Sequence, residues 1–300
     1  MKHYIALFFA TLWLATSFQA SAANKTTIRL NLQKGESYEL IANVKGDIVQ
    51  EMMGQKVEME QNMTISSIMN VTDKLADGNF AIEYRYQAIR MDVKGMGQAF
   101  RFDSESPDKS SPIYPIFEGM INGKLQLVVT PLGKIVKAEG FESLLKGVNA
   151  NPQIAEALKP FNNADGFKTN FEQTFGYFTD KETAQGDVWS NTIEIPNLGF
   201  AKITTDFQAV SITDNQLDIT MKAIINTNGE LEQNGIKIDM AIEGNQAGTL
   251  DIERKTGLFS VSDVLMKLKI NMKFKNPATG DDMTMPMEIN STTKTLCRKL

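Results

Sequence analysis

Residues 56–72 read KVEMEQNMTISSIMNVT, with Val57, Met59, Met63, Ile65, Met69 and Val71 on one parity and Glu58, Glu60, Asn62, Thr64, Ser66 and Asn70 on the other. Successive side chains of a strand point to opposite faces, so this alternation predicts one long antiparallel strand with an apolar face and a wet face. Next along the chain, Phe80, Ile82, Tyr84 and Tyr86 keep the pattern until Ala88-Ile89, where the apolar parity moves to Ile89, Met91 and Val93. A one-residue slip predicts a β-bulge or a bend. The alternation returns in Leu217, Ile219 and Met221, in Ile236, Ile238, Met240 and Ile242, in the even-numbered residues from Val264 to Phe274, and in Met283, Met285, Met287 and Ile289. Breaks rich in Asp, Asn and Gly, such as Thr213-Asp214-Asn215 and Glu243-Gly244-Asn245, are expected to separate these strands as short turns.

The period changes between about residues 141 and 178. Phe141, Leu144, Leu145 and Val148 have helical spacing, as do Ile154, Ala155 and Leu158 after Pro152, and Phe167, Phe171, Phe175 and Phe178 recur every three or four residues. The Phe stripe is expected to dock a helix on a sheet. The fold class that follows is mainly β, a β-rich α+β chain of two antiparallel sheet or half-barrel modules joined by a central helical segment. The boundaries are a signal peptide over 1–22, an N-terminal β module over 23–146, a helical joint over 147–180 and a C-terminal β module over 181–300.

The leader rests on a short positive start at Lys2, an apolar run from Ile5 to Phe18, and small residues at Ala20-Ser21-Ala22. That run is shorter than the roughly 20 residues a bilayer span needs, so cleavage between Ala22 and Ala23 is expected, with no transmembrane segment left afterwards. No cysteine follows the apolar run, which argues against a lipoprotein anchor. The expected product is exported and soluble, periplasmic or extracellular.

Composition excludes much chemistry. The one histidine, His3, lies in the leader, so imidazole-based acid–base relays, Ser-His-Asp sites and His-ligated metals have no residue to use. The one cysteine, Cys297, permits no intramolecular disulfide and has no thiolate-stabilising neighbour in sequence. With 31 basic against 36 acidic residues and no basic stripe, nucleic acid is not an expected partner.

Short segments repeat across the joint. Gly35-Glu36-Ser37-Tyr38 matches Gly186-Asp187-Val188-Trp189, and residues 123–127 followed by the turn Thr130-Pro131-Leu132-Gly133 match residues 248–252 followed by Lys255-Thr256-Gly257. The same order in both halves suggests a duplicated sheet module. Phe102-Asp103-Ser104, residues 123–129, residues 132–141 and Gly186-Asp187-Val188-Trp189 also resemble the exported bacterial family catalogued as domain of unknown function 6263. The chain departs from that pattern at residues 179–183, where a proline-containing segment is expected. The resemblance implies a secreted β-rich protein and supplies no activity, cofactor or catalytic residue.

Glu58, Glu60, Asp218, Asp239 and Glu243 offer carboxylates, but sit at the polar parity of strands, as a solvated face would place them. Gly280-Asp281-Asp282 and residues 73–78 hold fragments of a calcium loop and read better as turns. Lys94-Gly95-Met96-Gly97 lacks the further glycine and helix of a phosphate loop. Met283-Thr284-Met285-Pro286-Met287 carries thioethers suited to Cu(I), yet at core parity and without histidine. No catalytic residue, metal site or cofactor is expected. The positive feature is methionine on the apolar parity, a flexible and polarizable side chain that accepts varied apolar partners and also fills ordinary cores. The leading expectation is non-catalytic binding of a lipid or other apolar ligand in a β-lined concavity by Met59, Met63, Met69, Phe80, Tyr84, Met221 and Met240. The alternative is a structural or interaction module contacting an envelope protein or glycan.

Overall fold

The computed structural model describes residues 25–52, 54–95, 97–110, 114–145, 164–195, 198–233, 235–276 and 279–300. The leader with Ala22 and Ala23, and the helical spacing at Ile154, Ala155 and Leu158, lie outside the described residues. The N-terminal half contributes β1 (Thr26–Ile28), β2 (Ser37–Met52), β3 (Gln55–Lys74), β4 (Phe80–Gly95), β5 (Gln98–Asp103), α1 (Tyr114–Asn122), β6 (Leu125–Val129), β7 (Ile135–Glu139) and α2 (Phe141–Leu145). Then come α3 (Ala164–Thr174), β8 (Thr179–Thr183), β9 (Val188–Glu194), β10 (Lys202–Ile212), β11 (Gln216–Gln233), β12 (Ile236–Glu253), β13 (Phe259–Lys275) and β14 (Asp282–Lys299).

The protein is mainly β and its sheets are antiparallel. The two halves, however, do not build separate sheets. β14 pairs with β2, from Met287 opposite Gln50 to Lys299 opposite Tyr38, and this seam joins all the long strands into one 12-stranded sheet. Its order is β7-β6-β4-β3-β2-β14-β13-β12-β11-β10-β9, with β5 beside the far end of β4. Alternation read along a chain sees each strand's faces but not which strand lies beside it, so the seam between distant segments was invisible to it.

Two expectations of detail resolve in opposite ways. The parity slip at Ala88-Ile89 is a bulge: Ser66 pairs with Ala88 and Ser67 with Tyr86, leaving Gln87 as the extra residue. The break expected at Glu243-Gly244-Asn245 does not exist, because β12 runs through it in unbroken register with both neighbours. Gly244 and Gly248 point to the sheet's inner face, where an added Cβ would come within 2.1 Å of the Lys267 carbonyl oxygen and 2.4 Å of that of Asp263. Glycine here marks close approach of neighbouring backbones rather than a turn.

The sheet is strongly curled. Its edge strands β7 and β9 are ten steps apart, about 48 Å if laid flat at roughly 4.8 Å per strand. Yet Glu172 of α3 accepts from the Ile135 N–H of β7 at 3.0 Å, and four residues later the Gly176 carbonyl accepts from Asn191 Nδ2 of β9 at 3.0 Å. A few residues therefore bridge edges that only a curled sheet brings together. α3 and the β1–β8 ribbon sit inside this curl.

The core fills one end of the curl. Leu32, Leu125, Val129 and Ala209 are fully buried there, with Ile28, Met69, Phe80, Ile82, Leu217, Ile252 and Phe259 nearly so. Burying each larger apolar side chain contributes on the order of 1.5–3 kcal/mol. The Phe stripe docks as expected: Phe171 and Phe175 lie 4.8 Å apart, and Phe167 packs edge-on against Tyr84 of β4 at 5.3 Å.

The matched segments make matching hydrogen bonds. The Gly35 N–H donates to the Val71 carbonyl, and the Val71 N–H donates to that of Glu36. Gly186, Ala209 and Asp187 repeat this pair, and Glu36 and Asp187 each accept from the N–H three residues earlier.

Candidate functional site

Beyond the core the long strands continue, with an inner face that is mostly apolar and an outer face rich in charge. Paired residues across the sheet define inward rows. One row runs Phe102, Met91, Met63, Val44, Thr293, Val264, Gly248, Met221, Phe207 and Trp189. Farther out follow Met59, Ile48, Ile289, Leu268, Gly244 and Ile225, then Met285, Met272, Met240 and Gly229. The apolar members of the outer rows are mostly half-buried, flanked by exposed polar neighbours.

Where the core gives way to these rows lies a cavity of about 470 Å³. Its apolar wall includes Val44, Met63, Phe207, Met221, Val264 and Met266 of the sheet. Its polar wall includes Asn170, Gln173 and Thr174 of α3, with Asn191, Gln246 and Thr293 opposite. No Asp, Glu, Lys or Arg lines it among the described residues. α3 is held over the cavity from both sides. Glu172, bonded to the Ile135 N–H, also pairs with Lys134 at 3.3 Å, and on the other side Trp189 Nε1 donates to the Tyr177 carbonyl at 2.9 Å. The Tyr177 hydroxyl, buried, donates to the Gly257 carbonyl at 2.9 Å, and burial raises its pKa well above the usual value.

The sequence-predicted residues separate into three groups. Met63 and Met221 line the cavity. Met59 and Met240 stand on the half-open inner rows beyond it. Met69 and Phe80 are only 1% exposed inside the solid core, and Tyr84 packs against Phe167 and Phe171, so these three form no part of the cavity wall. All share one face, but the core fills that face at one end, a distinction that parity does not encode. The polar wall from α3 was missed, because Asn170, Gln173 and Thr174 carry no motif and flank the conspicuous Phe stripe on the same helix.

Other candidates occupy ordinary places. Glu58, Glu60, Asp218, Asp239 and Glu243 lie on the outer parity, away from the cavity. Residues 73–78 run from the end of β3 into the β3–β4 turn, closed by Leu75 N–H to the Asn79 carbonyl, and Gly280-Asp281-Asp282 leads from the β13–β14 turn into β14, where Asn276 N–H reaches the Asp281 carbonyl. Lys94, Gly95 and Gly97 belong to the β4–β5 hairpin. Met283, Met285 and Met287 lie on the inner rows. Among the described residues, no group of three or more His, Cys, Asp or Glu is placed to hold a metal ion, and no helix is long and apolar enough to cross a membrane. Cys297 packs against the core, where burial first and Glu253 second push its thiol up to about 12.

A model of a family of unknown function, DUF6263, matches residues 77–259. No curated protein matches the chain. Among solved structures, one of lipovitellin, described by its lipid–protein interactions, aligns at 6% identity with a TM-score of 0.50, covering 89% of this chain and 25% of the other. The chain thus spans about a quarter of that protein's length, and the likeness is one of fold. An outer membrane channel from Pseudomonas putida F1 aligns at 7% identity, covering 90% and 98% of the two chains, with a TM-score of 0.26.

Proposed function

Because the chain belongs to the DUF6263 family of unknown function, we propose its role from the cavity itself: a non-catalytic, exported protein that binds a lipid or other apolar ligand inside the curled sheet. The observation that carries this reading is the uncharged cavity of about 470 Å³, opening onto inner rows of Met, Ile and Leu. That volume is within the usual range for a small-molecule site, roughly 300–1,000 Å³. Long apolar strands normally meet a second layer, and half-buried Met59, Met240, Met272 and Met285 suit an occupant that varies in shape.

Acyl transfer and hydrolysis need a base beside the nucleophile and glycoside cleavage a pair of carboxylates, whereas the cavity's Ser and Thr hydroxyls have no Asp, Glu, Lys or Arg beside them among the described lining residues. A membrane-spanning barrel needs an apolar band on its outside, whereas Glu58, Glu60, Lys267, Lys269, Glu243 and Glu288 put charge on the outside of this sheet. The matching hydrogen bonds at Gly35 and Gly186 support a duplicated module as its origin.

Titration with the neutral dye N-phenyl-1-naphthylamine tests the reading. Saturable fluorescence that is lost on Met221→Arg, but kept on Glu60→Gln, supports it. Absence of saturable binding in the unmodified protein refutes it.

A further inference from the structure

We infer that the ligand is a lipid with an uncharged, hydrogen-bonding head, seated at the C-terminal end of α3, and with its acyl chain laid along the inner rows toward the hairpin tips. This rests on the reading of the cavity as an apolar-ligand site and specifies its chemistry.

Three observations converge. First, the cavity's polar side chains are all amides and hydroxyls, among them Asn170, Gln173, Thr174, Asn191, Gln246 and Thr293. Such groups match esters and hydroxyls, whereas a phosphate or carboxylate taken from water into a site without a cation is strongly penalised. Second, it is the last turn of α3 that faces the cavity. A helix C-terminus carries a partial negative charge, which repels an anion. Third, the apolar rows leave the cavity in one direction only. From Val264 beside it, β13 carries Met266, Leu268, Ile270, Met272 and Phe274 on the same face. The ten residue steps from Val264 to Phe274 span about 33 Å at the strand rise. One acyl chain covers half of a hydrocarbon core roughly 30 Å thick, so the trough holds a full chain with room to spare. The partners of these residues on β14 are Ser291, Ile289, Met287, Met285 and Met283, so on β14 polar side chains give way to apolar ones beyond Ser291.

The test uses phosphatidylcholine vesicles carrying equal amounts of dioleoylglycerol and dioleoylphosphatidylglycerol. The protein is incubated with them and separated, and the bound lipid is extracted and quantified by mass spectrometry. Dioleoylglycerol should be enriched about tenfold or more over either phospholipid, relative to the vesicle composition. Gln246→Lys, and independently Thr293→Lys, should shift retention toward phosphatidylglycerol by placing a cation beside the head. Retention of phospholipid at or above the level of dioleoylglycerol overturns the uncharged head while leaving apolar binding intact. Retention of no lipid overturns both.

Discussion

Gly257→Ala should destabilise the protein far more than Gly186→Ala, although both glycines have left-handed backbones, with φ of 76° and 93°. A side chain in that region costs roughly 1–2 kcal/mol at either position. At Gly186 nothing stands within 4 Å of an added Cβ, so the strain is the whole effect. At Gly257 the Cβ would lie 2.1 Å from the Arg29 carbonyl oxygen and 2.7 Å from its carbon. Relief requires the segment around Arg29 to retreat by about 1 Å to reach ordinary contact. That segment is fixed by Leu30 N–H to the Pro131 carbonyl at 2.8 Å and Asn31 N–H to the Thr256 carbonyl at 2.9 Å, and it carries the buried Ile28, Leu30 and Leu32. The Gly257 carbonyl also accepts the buried Tyr177 hydroxyl. Stretching two such bonds costs about 1 kcal/mol each, and more if a buried group is left unmade. The expected excess over Gly186→Ala is therefore at least about 2 kcal/mol, or about 0.7 M in urea midpoint for a slope near 3 kcal/mol/M. Urea unfolding followed by far-UV circular dichroism measures it. Equal midpoints for the two variants would refute the claim that the β1 segment is wedged between the turns at Pro131 and Gly257.

Alkaline stability gives a second check. Burial raises the Cys297 thiol from 9.0 to about 12 and the Tyr84 hydroxyl from 10.0 to about 12, so the neutral forms are favoured when folded. Their contribution is fully present below the unfolded values and is lost as pH rises from about 9 to 12. Folded protein should leave Cys297 unreactive toward a disulfide reagent at pH 8, and rapid labelling would contradict its burial. Met69→Ala should cost about 2–5 kcal/mol as a core truncation, whereas Met240→Ala on the half-open row should cost under about 1 kcal/mol; thermal unfolding distinguishes them, and equal losses would show that both rows are filled. Glu172→Ala removes the link from α3 to Lys134 and Ile135. Hydrogen exchange over residues 164–174 should accelerate while β12 and β13 remain protected, and unchanged exchange would show that α3 is held by its Phe face alone.

The facing of the alternating strands was legible because period two survives any arrangement of neighbours, whereas the full lengths of β11 and β12 were not. The bulge at Gln87 was legible for the same reason, since a parity slip has few other causes. The seam between β14 and β2 was not, because it depends on the meeting of segments more than 200 residues apart in sequence. Gly244 misled because glycine signals turns and close backbone approach alike. Met63 and Met221, chosen by facing, line the cavity, while Met69 and Phe80, chosen in the same way, lie in the core, because core and cavity share that face. The polar half of the cavity comes from α3, whose relation to the sheet is wholly tertiary.

The central claim is that the curled sheet encloses a site for an apolar ligand. Native mass spectrometry of the protein purified from cells without detergent, followed by denaturing extraction, tests it most directly. The expected result is a stoichiometric adduct that extracts as an uncharged lipid and disappears in Met221→Arg. A bare protein mass that stays unchanged after incubation with dioleoylglycerol vesicles would contradict the claim.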